Sequence, residues 1–61
     1  MRYRIDTILK HDNGRREGLT DWCASMEEVM ELFNEYVDDY RCIECLVYDK
    51  EKQKDILWYT P

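Results

Sequence analysis

The chain has 61 residues, 44% hydrophobic and 38% charged, with 14 acidic and 9 basic side chains for a formal net charge of −5. That length admits one domain with one small core, near the lower limit for folding alone. The apolar content and the aromatics (two Trp, five Tyr, one Phe) exclude a disordered chain, and no apolar run approaches a membrane span.

At ~0.05–0.15 kcal/mol per residue, such a fold is held by roughly 3–9 kcal/mol, so losing a few core contacts can undo it. A partner or self-association is expected to add stability. The start, MRYRIDTILKHD, lacks the long apolar stretch of a signal peptide. The expected compartment is therefore the cytoplasm, with the three cysteines reduced.

In chain order, Arg2 to Lys10 reads as a strand. Tyr3, Ile5, Thr7 and Leu9 share one face, and Arg2, Arg4, Asp6, Ile8 and Lys10 the other. Asn13-Gly14 follows as a strong hairpin signal, because both residues tolerate positive φ. A second strand is expected from about Arg15 to Trp22, with Gly18 marking a bulge.

Ser25 to Tyr40, SMEEVMELFNEYVDDY, reads as the only helix. Ser25 and Glu28 have the spacing of a capping box, Ser25 accepting from the amide of Glu28 and Glu28 reaching back to that of Ser25. On a helical wheel Met26, Val29, Met30, Phe33, Tyr36, Val37 and Tyr40 fall in one sector. Glu27, Glu28, Glu31, Glu35, Asp38 and Asp39 fill the other side, with no Lys or Arg among them. The acidic excess is thus local: these 16 residues carry 6 acids and no base, and the remainder carries 8 acids and 9 bases.

Cys42 to Asp49 and Asp55 to Thr60 read as two further strands joined by the charged turn Lys50 to Lys54. The order is ββαββ, an α+β fold with one antiparallel sheet and the helix across one face. One helix cannot cover both sides of such a sheet. Several of Ile8, Leu46, Tyr48, Leu57 and Tyr59, or their alternates on the same strands, are left on the open face as an apolar interface. A homodimer is the first expectation for that face, since most soluble oligomers are symmetric.

Catalytic chemistry finds little footing. Cys42-x-x-Cys45 has metal-knuckle or redox spacing, and Cys23 and His11 would complete four ligands. CIECLVY, however, lacks the Gly or Pro that turns a knuckle, and in a regular strand the two thiols point to opposite faces. The cysteines read as small buried apolar residues, with no metal or cofactor, and His11 as a solvated loop residue. Paired carboxylates on a convex helix lack the pocket that drives pKa values apart for acid–base work.

Glu27–Glu31, Glu31–Glu35 and Glu35–Asp39 are like-charge pairs four residues apart, each costing about 0.2–0.5 kcal/mol where Glu–Lys pairs would stabilise. Asp38 and Asp39 also sit at the end of the helix where the dipole disfavours negative charge. Charge on a helix is ordinarily just its solvated face; against that, repulsion retained without relief in a small domain points to a basic protein partner. In size, charge and ββαββ pattern the chain resembles short acidic proteins of phages and mobile elements, including anti-CRISPR proteins and DNA mimics. The resemblance implies a stoichiometric inhibitor whose carboxylates stand in for phosphates, and it transfers no individual residue. The expected role is a non-enzymatic acidic inhibitor or adaptor of a basic, nucleic-acid-binding protein. The alternative is a small homodimeric regulatory domain binding nucleic acid through its sheet, with Tyr48, Tyr59, Arg2 and Arg4 as platform.

Overall fold

The computed structural model describes all residues from Met1 to Pro61. Strand β1 (Tyr3–Lys10) turns into β2 (Arg16–Cys23), helix α1 (Met26–Asp38) crosses over, and β3 (Cys42–Asp49) and β4 (Lys54–Tyr59) complete one sheet. The strand order is β2-β1-β3-β4 and every neighbouring pair is antiparallel. The chain is an α+β protein of ββαββ order, with the helix packed on the sheet and no helix long and apolar enough to cross a membrane.

The alternation in β1 sets the core. Tyr3, Ile5, Thr7 and Leu9 are buried, and their cross-strand partners Val47 and Cys45 on β3 are fully buried beside them. Val29 is the one fully buried helix residue, with Leu32, Phe33, Tyr36 and Val37 packed around the same cluster. Every buried side-chain polar atom has a hydrogen-bond partner.

The first hairpin forms at the Asn-Gly signal. Gly14 takes φ +86°, where a Cβ would be strained, its amide donates to the His11 carbonyl at 2.8 Å, and the Asn13 side chain accepts from the Arg15 amide. Pairing of β1 with β2 is continuous from Tyr3–Cys23 to Lys10–Arg16, so Gly18 is not a bulge as the sequence suggested. The irregularities lie elsewhere: Ile43 is the extra residue opposite Ile8 and Leu9, and Ile56 the extra one opposite Val47 and Tyr48.

The helix begins as expected and ends early. Ser25 Oγ accepts from the Glu28 amide at 3.3 Å, and Glu28 reaches the amide of Ala24, one residue before the expected Ser25. Asp39 is already extended (φ −78°, ψ 121°), its amide capping the carbonyl of Tyr36. Tyr40 therefore leaves the apolar sector and stands 81% exposed, while Leu32, unremarked in the pattern, packs against the core. A tight turn returns the chain to the sheet, the Lys10 amide donating to the Arg41 carbonyl at 2.7 Å.

Candidate functional site

Glu27, Glu28, Glu31, Glu35 and Asp38 are all exposed on the outer side of the helix. None takes part in an ion pair; the four that form join Arg2 to Asp49 and Glu51, Arg4 to Asp6 and Arg41 to Asp39, and Glu17 is hydrogen-bonded to His11. Spacings of four, four and three residues place Glu27, Glu31, Glu35 and Asp38 along one ridge. Glu28 stands apart from it, spent on the N-terminal cap.

Asp39 does not belong to this ridge. Having left the helix, its carboxylate accepts a two-pronged bond from Arg41, Nε at 3.1 Å and the guanidinium NH2 at 2.7 Å, and another from the Arg41 amide. Those bonds lower its pKa to about 2. The like-charge pair Glu35–Asp39 expected from an unbroken helix therefore drops out, and Glu27–Glu31 and Glu31–Glu35 remain.

The open face of the sheet is assembled from alternate residues of all four strands. Register puts Trp22, Arg4 and Tyr48 in one row, and Thr20, Asp6, Leu46 and Trp58 in the next. Gly18, Ile8 and Glu44 form a third. Ile8, Leu46 and Tyr48 thus lie where the sequence put them. Leu57 and Tyr59 do not: they pair with Val47 and Cys45 on the helix side and pack against the core. β4 offered two interleaved apolar sets, and the core took Leu57 and Tyr59. The bulge turns Ile56 inward as well, leaving Trp58 outside at 68% exposure. Trp22, at 47% exposure on β2 opposite Arg4, is the second large aromatic of this face.

Arg4 lies 4.9 Å from the centroid of Tyr48 while its Nε donates to Asp6 Oδ2 at 2.7 Å, and Lys50 stands 5.4 Å over Trp22. Thr20 donates to the other Asp6 oxygen at 2.9 Å. Arg2 is elsewhere, forked onto Asp49 with both bonds at 3.0 Å. The two arginines of the nucleic-acid reading are therefore both neutralised by carboxylates, and Tyr59 is turned to the core.

Asp49 is a determinant the sequence reading missed. It is 1% exposed, takes the fork from Arg2, and accepts from the amides of Glu51 and Lys52, so one carboxylate closes the β3–β4 turn. The bond from Arg2, helped by the two amides, lowers its pKa to about 2. With the folded pKa below the ordinary 3.8, its stabilisation is present above that value and is lost as pH falls towards 2. Asp49→Asn should therefore be less stable than the parent at pH 7 by urea unfolding, the difference shrinking as pH falls below 3.8 and vanishing only below about 2. A difference that stays constant over that interval would mean the charge contributes nothing.

The cysteines are all free and buried. Cys42 and Cys45 lie on the same, helix-facing side, contrary to the regular-strand expectation, because the extra residue Ile43 shifts the alternation between them. Cys45 Sγ sits 3.5 Å from Thr7 Oγ1, and Cys42 points its thiol at the carbonyl of Glu44. Burial raises the pKa of all three thiols. His11 is engaged by Glu17 at 2.9 Å, and no three His, Cys, Asp or Glu side chains converge as a metal-ligand set. Native protein should react with a disulfide thiol reagent only slowly, releasing three equivalents on unfolding in urea; rapid reaction of one thiol in native buffer would contradict this burial.

Tyr36 ties the helix to β2, its hydroxyl donating to Asp21 at 2.5 Å. That bond, followed by burial, pushes its pKa up to about 12. The surface holds no pocket. No known protein family, curated protein or solved structure matches the chain.

Proposed function

We propose that this chain is a non-enzymatic binding domain, an acidic inhibitor or adaptor of a basic, nucleic-acid-binding protein. It works in the cytoplasm as a homodimer, in the manner of small proteins encoded by phages and mobile elements. The observation that carries the reading is the ridge Glu27–Glu31–Glu35–Asp38: exposed carboxylates on a rigid helix with no ion-pair partner within the chain. The neighbouring Asp39 shows what this chain does with a carboxylate it neutralises itself, supplying Arg41 two residues away.

A row of unpaired carboxylates attracts a cationic groove over a distance and loses that attraction as salt rises. A convex ridge without a concavity suits docking into another protein's groove rather than holding a small substrate. The nucleic-acid alternative is weaker on this geometry, since Arg2 and Arg4 are already held by Asp49 and Asp6.

The test is affinity capture from the native host with the proteins identified by mass spectrometry. A basic nucleic-acid-binding protein should be retained at low salt and released at high salt. Recovery of DNA or RNA on the protein alone would favour the sheet alternative instead.

A further inference from the structure

We infer that the open face of the sheet is covered by a second copy of this chain, seated over Gly18 and Ile8 beside the Trp22, Tyr48 and Trp58 aromatics. This gives a location to the self-association in the preceding proposal, and it holds or fails independently of the partner of the acidic helix.

Gly18 is the first observation. It sits within edge strand β2, paired directly with Ile8, in a continuous ladder without a bulge. Its φ lies outside the left-handed region, and a Cβ built on it would meet nothing within 4 Å. Neither the backbone nor the packing of the single chain requires glycine there, yet glycine weakens a strand. Close approach of another chain is the remaining physical use of a glycine at such a position.

Charge is the second. The chain as a whole carries −5. Its open face is nearly balanced, with Arg4, Lys10, Arg16 and Lys50 against Asp6, Glu44 and Asp55. Two copies meeting sheet to sheet place their acidic helices on opposite outer sides, separated by more than the ~8 Å over which physiological salt screens charge. Contact through any surface that includes the helix ridge would instead bring like charges together.

Area is the third. Four strands ~4.8 Å apart and about eight residues long give a footprint of roughly 20 by 27 Å. With side chains standing on it, that footprint is of the order of the ~800 Å² per partner buried in a standard interface. The anchors are of the kind that dominate such interfaces, tryptophans and a tyrosine, two of them held in place by Arg4 and Lys50. Nucleic acid is the less favoured occupant, because Arg4 is already neutralised by Asp6 and the whole chain is anionic.

Sedimentation over a concentration series tests this with the parent chain, Gly18→Val and Trp58→Ser. The parent should be a dimer at micromolar concentration. Each variant should weaken association by at least about tenfold, while Gly18→Val, measured dilute, should melt no lower than the parent. The helix variant Glu31→Lys should dimerise as the parent does, so loss of partner binding and loss of assembly are read separately. A parent monomer at hundreds of micromolar would overturn the inference. Undiminished dimers of both variants would overturn it too, pointing to edge pairing. Quenching of tryptophan fluorescence by a poly-dT oligonucleotide on monomeric protein would assign the face to nucleic acid instead.

Discussion

Ile5→Ala should come close to unfolding the protein. Ile5 is fully buried at the centre of β1, paired with Asp21 on one side and Val47 on the other, beneath the helix that buries Val29. Truncating a buried Ile costs about 2–5 kcal/mol through lost transfer and the cavity left behind. A chain this short commands roughly 3–9 kcal/mol in total. In a domain of this size each kcal/mol is worth about 4–8 °C, so the melting temperature should fall by roughly 8 °C or more. Trp58→Ala, removing a larger side chain that is 68% exposed, should change the stability of the monomer far less. Thermal and urea unfolding of the two variants side by side, dilute enough that each chain is monomeric, checks the contrast. An Ile5→Ala loss below about 1 kcal/mol would mean that the core collapses around the gap or is centred elsewhere.

The core around Ile5 was legible from period alone. Tyr3, Ile5, Thr7 and Leu9 alternate with Arg4, Asp6, Ile8 and Lys10 over a full strand, and all four are buried. Asn13-Gly14 and Ser25-x-x-Glu28 carry their conformations in local chemistry, so turn and cap formed where they were read, apart from a one-residue shift in the amide that Glu28 reaches.

What depended on distant partners was not legible. Leu57 and Tyr59 compete with Ile56 and Trp58 for the core on equal local terms; the register against β3 puts Leu57 and Tyr59 inside, and its bulge brings Ile56 in with them, leaving Trp58 out. Cys42 and Cys45 share a side because Ile43 is inserted opposite Ile8 and Leu9, a cross-strand fact invisible in CIECLVY itself. Tyr40 fits the helical period but lies beyond the point where Asp39 turns away to Arg41. Asp49 did carry a signal, an Asp at the mouth of a charged turn, though its distant partner Arg2 did not. The acidic residues of the candidate site were read from composition; the structure adds that Asp39 is withdrawn and Glu28 is committed to the cap.

The second large effect is expected on binding rather than on folding. Glu27, Glu31 and Glu35 replaced together by Lys move the formal charge from −5 to +1 while touching only exposed positions. Glu31→Lys alone should be neutral or stabilising, because two repulsive pairs become attractive ones. The triple variant recreates repulsion with the opposite sign, so no gain in stability is expected from it, and its circular dichroism and cooperative melting should match the parent. Its affinity for the captured basic protein should collapse, with most of the loss at low salt, where steering by the ridge is strongest.

The direct measurement is therefore titration of that captured protein with parent and triple variant, at low and physiological salt, both shown to be folded. The parent should bind in a salt-sensitive manner and the variant should not bind at all. Equal affinity for both, or capture of no basic protein by the parent, would contradict the proposal.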